Sequence, residues 1–114
     1  MAKKILIVDD EPSIIVALEF LMEQSGSEPQ AAFRGDQAMD SVGRAPPELI
    51  LLDITMPGMN GFEACQQLKK EPRTASIPVI FISALESTSN RLRGFEVGGV
   101  DYIVKPFEIE ETLA

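Results

Sequence analysis

Five polar residues stand at the ends of apolar runs. Asp9 and Asp10 follow Ile5–Val8, Asp53 follows Leu49–Leu52, Ser83 follows Ile77–Ile82 and Lys105 follows Val100–Val104. Each has a plain explanation when taken alone: an aspartate caps a helix, a serine makes a turn, a lysine is a solvated charge. Brought together they form a reactive set. Three carboxylates in one pocket repel, and at roughly 5 Å with an effective dielectric near 20 each pair costs about 3 kcal/mol. Lys105 offsets only part of that, whereas a divalent cation relieves it. An all-oxygen donor set suits Mg²⁺, which retains several waters. With no histidine and one cysteine in the chain, zinc and copper are poorly served. A carboxylate in such a site can act as a nucleophile and form an aspartyl-phosphate, a reaction that depends mainly on positioning and on neutralising phosphoryl oxygens. Asp53 is then the nucleophile, Mg²⁺ neutralises one oxygen, Lys105 a second, and the Ser83 hydroxyl bonds the third.

For these groups to meet, the runs that precede them must be parallel strands. Lys4–Val8 reads as a buried strand, after which Pro12 suits the first turn of a helix. Ile14, Ile15, Leu18, Leu21 and Met22 form one apolar face of that helix, which ends near Gly26. Glu28–Phe33 is a more polar strand suited to a sheet edge. Asp36–Gly43 is a short helix stopped by Arg44-Ala45-Pro46-Pro47, and Leu49–Leu52 is a second buried strand. Turn residues Pro57, Gly58, Asn60 and Gly61 lead into a helix over Phe62–Lys70. Ile77–Ile82 is a further strand, and Glu86–Val97 a helix with sparse apolar positions, Leu92 and Phe95. Val100–Val104 is the last strand, and Glu108–Ala114 begins a final helix. Alternating strands and helices with apolar rather than alternating strand patterns indicate a parallel sheet covered on both faces. Right-handed crossovers then give an open doubly wound α/β fold, whose ligands bind beyond the carboxyl ends of the strands.

The totals narrow the function. A chain of 114 residues, 45% hydrophobic and 25% charged, suits one globular domain. The apolar runs are far too short to span a membrane, and the start Met1-Ala2-Lys3-Lys4 has no long apolar region of a secretory leader, so a cytoplasmic location is expected. Cys65 stands alone, which excludes an internal disulfide and fits a small packing residue. A net charge of −8 argues against nucleic acid or an anionic membrane as a partner of this domain. The absence of histidine removes His-based acid–base catalysis and any role as a phosphohistidine donor.

Four segments, in this order and spacing, resemble the receiver domains of two-component response regulators, the CheY-like family. They are Val8-Asp9-Asp10-Glu11, then Leu52-Asp53-Ile54-Thr55-Met56-Pro57-Gly58-Met59-Asn60-Gly61, then Pro78-Val79-Ile80-Phe81-Ile82-Ser83-Ala84, and Gly98-Gly99-Val100-Asp101-Tyr102-Ile103-Val104-Lys105-Pro106-Phe107. The resemblance covers essentially the whole chain. It implies a flavodoxin-like, doubly wound, five-stranded parallel sheet of order 2-1-3-4-5, with helices on both faces. It implies that residues 1–114 are one receiver domain whose final helix is cut short, the output domain lying beyond. Asp53 is then the phosphoacceptor, served by a phosphohistidine on a sensor histidine kinase or phosphotransfer protein. Asp9, Asp10 and Asp53 hold Mg²⁺ with the main-chain carbonyl of Thr55. Ser83 is the switch hydroxyl, Tyr102 the switch aromatic, and the Lys105–Pro106 bond is cis. The domain is a signalling module that assists its own phosphorylation and dephosphorylation rather than an enzyme. Its Glu86–Ala114 face passes the signal to an output domain or partner, with a phosphorylation-dependent dimer among the arrangements allowed. Thr55 and the apolar Leu85 depart from common family choices beside the acceptor and imply a long-lived phosphorylated state.

Two other classes share parts of this pattern. A phosphohydrolase with an aspartate nucleophile, of the haloacid-dehalogenase type, usually has a second aspartate two residues on. Thr55 stands there, and 114 residues leave no room for a cap domain. A flavin-binding module of the same fold lacks support in a chain with one tyrosine, no tryptophan and no hydroxyl-rich loop after the first strand. A receiver that no longer takes phosphate is disfavoured because all five core positions are filled.

Overall fold

The computed structural model describes residues 3–56, 58–83 and 88–104. Five strands alternate with four helices: β1 Lys4–Val8, α1 Pro12–Gln24, β2 Glu28–Ala32, α2 Gly35–Arg44, β3 Leu49–Asp53, α3 Gly61–Lys70, β4 Val79–Ser83, α4 Thr88–Glu96 and β5 Asp101–Val104. All strand pairs are parallel and the order is β2-β1-β3-β4-β5. The doubly wound architecture and its strand order are those expected from the sequence. β2 is an edge strand, as its polar composition required: it carries Pro29, whose missing N–H a central strand would not tolerate. The expected final helix over Glu108–Ala114 lies outside the described residues.

Alternation along the strands divides the core between the two faces of the sheet. On one face Ile5, Ile7, Leu51 and Ile82 pack against Ile15, Leu18 and Leu21 of α1, with Ile14 and Met22 at the margin. These are the five α1 positions read from the helical period. On the other face Leu6, Val8, Ile50, Leu52, Val79 and Phe81 meet Ala38 and Val42 of α2 and Ala64, Cys65 and Leu68 of α3. Pro12 occupies the start of α1, where a missing N–H costs nothing. No helix among the described residues is long and apolar enough to cross a membrane.

The structure alters the picture of α4. Its apolar residues Leu92 and Phe95 do not anchor it; they are 58% and 52% exposed. The helix instead turns Gly94 inward, and Val97, just past its end, is buried. A Cβ on Gly94 would come within 2.9 Å of the Phe81 ring, and one on Gly99 would collide with the same ring. The helix backbone thus rests directly on a buried aromatic surface, which leaves no room for apolar side chains between them. A search for apolar spacing overlooks this kind of seat, because the packing residues are glycines.

Candidate functional site

Register aligns the acidic residues. Val8 lies opposite Leu52 on β1 and β3, so one step further along each chain brings Asp9 beside Asp53. The Asp9 N–H donates to the Ala32 carbonyl at 3.1 Å, and the Ile54 N–H to the Ile82 carbonyl at 3.1 Å, so both strands stay paired up to the site. One carboxylate oxygen from each of Asp9, Asp10 and Asp53 lies within 4.8 Å of the others. Asp9 is completely buried, Asp53 is 2% exposed and Asp10 faces solvent. Asp9 also serves the local turn, its Oδ1 accepting from the Glu11 N–H at 2.9 Å. It is therefore both a turn residue and a member of the acidic group. Buried carboxylates so close together are costly unless a cation or proton compensates, and an oxygen-only trio with one solvent-facing member matches the needs of a hard, partly hydrated ion.

The backbone beside Asp53 is fixed by α3. Gly61 lies so close that an added Cβ would overlap the Asp53 carbonyl oxygen and stand 2.9 Å from the Ile54 Cα, while the Gly61 N–H donates to the Ile54 carbonyl at 3.0 Å. Only glycine allows this approach. The helix starts with a capping box: Asn60 Oδ1 accepts from the Glu63 N–H at 2.9 Å and Glu63 Oε1 from the Asn60 N–H at 3.2 Å. The loop that carries Thr55 is closed by these contacts at its far end. Asn60 and Gly61 read as turn residues in the sequence; the Asn60-to-Glu63 spacing held the further signal of the box.

Ser83 ends β4 on the same face as Phe81 and is 1% exposed. Tyr102 on β5 lies opposite Phe81 and is 5% exposed, so Ser83 and Tyr102 are neighbours on one face of adjacent strands. The Arg91 guanidinium of α4 stands 4.9 Å above the Tyr102 ring centroid. Nothing in the local sequence pointed to this contact, which crosses from helix to strand. Thr55 is exposed. Lys105, Pro106 and their peptide bond, together with Leu85, lie outside the described residues, as does part of the Glu86–Ala114 face.

Comparisons with known proteins agree with this arrangement. The family model for the response regulator receiver domain matches residues 5–114. The transcriptional regulator RpaA of Synechocystis is 39% identical over 97% of this chain and 46% of its own length. The phosphate regulon regulatory protein PhoB of Rhizobium meliloti is 38% identical over all of this chain and 50% of its own. The chain thus spans about half the length of these curated relatives. Among solved structures, the chemotaxis protein CheY4 of Vibrio cholerae superposes with a TM-score of 0.92 at 29% identity, covering 99% of this chain and 93% of that one. A sheet ordered 2-1-3-4-5, an acidic cluster at its carboxyl edge and a family match from residue 5 to the end converge: this chain belongs to the receiver domains of two-component response regulators, signalling modules switched by phosphorylation of an aspartate.

Proposed function

We propose that Asp53 is the phosphoacceptor and that its state is read out through Ser83, Tyr102 and the α4–β5 surface. The observation that carries this is the burial of Asp53 at the end of β3, with a carboxylate oxygen within 4.8 Å of those of Asp9 and Asp10. A carboxylate oxygen of Asp53 attacks phosphorus while the bond to a histidine nitrogen of the partner breaks, the leaving nitrogen keeping the electron pair. The donor is a sensor histidine kinase or a phosphotransfer protein. Asp9, Asp10 and Asp53, with the main-chain carbonyl of Thr55, would hold Mg²⁺, which would supply neutralisation of phosphoryl charge. The Ser83 hydroxyl and the Lys105 ammonium bond the remaining oxygens. The chain acts as a cytoplasmic signalling domain over residues 1–114, not as an enzyme. RpaA and PhoB are named as transcriptional regulators, and an output domain of that kind beyond this one suits the match. The exposed Leu92, Phe95 and Val100 on α4 and before β5 offer the apolar surface through which the output, or a second copy after phosphorylation, is engaged.

Asp53→Asn tests the assignment. The change is nearly isosteric and removes the nucleophile, so phosphoprotein formed from a small phosphodonor in Mg²⁺ should vanish by intact mass while the unfolding transition survives. Undiminished labelling at the same position would refute the role of Asp53. Millimolar Mg²⁺ should raise the melting temperature of the wild type and raise it less in Asp10→Ala. A wild-type melting temperature indifferent to Mg²⁺ would refute the metal site.

A further inference from the structure

The α4 helix sits on the sheet through bare backbone, its Gly94 and the Gly99 that follows the helix lying against Phe81, while Leu92 and Phe95 face outward. Such a seat holds distance but offers little side-chain interlock to fix the helix against sliding or turning. Arg91 adds a contact of another kind. Its guanidinium lies 4.9 Å over the Tyr102 ring, reaching from α4 to β5. Arg93, two residues on, instead faces outward and pairs with Glu96 at 3.8 Å. A planar cation on a ring face is strongly dependent on the ring's position. The contact exists with Tyr102 buried beneath the helix and is lost if the ring swings out.

We infer that Arg91 is a positioning residue of the switch: it holds the Tyr102 ring in its buried position and makes that ring and α4 respond to the acceptor as one unit. The inference rests on the reading that Ser83 and Tyr102 transmit the state of Asp53. A phosphoryl group that draws Ser83 toward it opens space for the ring, so the buried ring and the occupied site favour one another. By linkage, whatever raises the population of the buried ring also tightens the site toward a phosphoryl mimic, up to the limit at which the ring is always buried. Arg91 therefore tunes how readily the acceptor is occupied, although it lies on the surface helix and not among the acidic residues.

The chain supplies its own probe, because Tyr102 is its only tyrosine and there is no tryptophan. Beryllofluoride is titrated in saturating Mg²⁺ into wild type, Arg91→Ala and Arg91→Lys, following Tyr102 emission and its quenching by acrylamide. Arg91→Ala should expose the ring to quencher without ligand. It should also raise the apparent Kd for beryllofluoride about two- to fivefold, the range a cation–π contact of modest strength supplies. Arg91→Lys should fall between, since an ammonium keeps the charge but not the stacking plane. In a Tyr102→Ala background, with binding followed by calorimetry, the Arg91→Ala change should no longer alter affinity. If Arg91→Ala shifts thermal unfolding but leaves the beryllofluoride Kd unchanged, Arg91 merely supports the fold and the inference is overturned. Wild type that fails to bind beryllofluoride would instead remove the acceptor reading itself, and this inference with it.

Discussion

The third and fourth helices pack on the same face of the sheet and are secured in opposite ways. At its start α3 has a capping box and a glycine pressed onto the Asp53 backbone. Along its length Ala64, Cys65 and Leu68 are buried, and Phe62 meets Phe81 edge-on at 5.3 Å. At its end the Thr74 hydroxyl donates to the Leu68 carbonyl at 2.6 Å, and Lys69 Nζ donates to the Ala75 and Ile77 carbonyls at 3.0 and 2.7 Å. Side-chain groups therefore take up both helix ends, where backbone partners run out. The α4 helix rests on glycine backbone and turns its large apolar residues outward. The element that sets the Asp53 backbone is fixed at both ends, and the element beside Ser83 and Tyr102 is held lightly. Few buried side chains are what a segment of low local stability requires. The backbone around Asp53 is thus held firmly while the α4 side of the same face is held lightly.

The sharpest contrast is between two leucines. Leu68 of α3 is 3% exposed and Leu92 of α4 is 58% exposed. Leu68→Ala should cost about 2–5 kcal/mol, the lost transfer energy plus a cavity, whereas Leu92→Ala should stay within about 0.5 kcal/mol. Urea unfolding of both variants measures the difference, and equal losses would dissolve the distinction between the helices. Two glycines give a smaller contrast. Gly61→Ala drives a methyl into the Asp53 main chain, so it should destabilise by about 1–3 kcal/mol and also weaken Mg²⁺ binding. Gly94→Ala meets the Phe81 ring, but a helix-interior alanine gains about 1 kcal/mol over glycine, which offsets part of the clash. Its net loss should be smaller and its effect on Mg²⁺ negligible. Mg²⁺ affinity unchanged in Gly61→Ala would show that the α3 terminus does not position Asp53.

How far the sequence revealed these things depends on the kind of signal each leaves. The central strands were legible because a strand buried on both faces must be continuously apolar, as in Leu6–Val8 and Ile50–Leu52, and the acidic cluster followed because parallel strands end on one edge. The α1 face was legible because five apolar residues kept the helical period. The seat of α4 was not, since its packing residues are Gly94 and Gly99 and its apolar residues point away. Apolar periodicity reports burial only when side chains fill the interface. The strand β4 also begins two residues later than its apolar run, at Val79 rather than Ile77. Pro78 separates the two, having no N–H to give the ladder, and buried Ile77 packs in the core from the preceding loop. Arg91 over Tyr102 is a contact between elements, and no local pattern encodes it.

Cys65 lies at the seam between the two helices and can time their separation. It is on α3, fully buried, and its thiol donates to the Val97 carbonyl just beyond α4 at 3.4 Å. Burial pushes the thiol above its ordinary value, and the nearby Lys69 ammonium lowers it only in part. Because the folded value is raised, the stability this group contributes is complete below the ordinary thiol value and is lost as pH climbs through the folded one. Near pH 8 the buried thiol is protonated and shielded, so a thiol reagent must wait for an opening. If α4 lifts on its own, labelling of Cys65 should outpace global unfolding, depend little on low urea, and slow on adding Mg²⁺ with beryllofluoride. If instead the labelling rate follows global stability across the urea series, α4 opens no more readily than α3. The contrast between a fixed and a lightly held helix would then be one of shape alone.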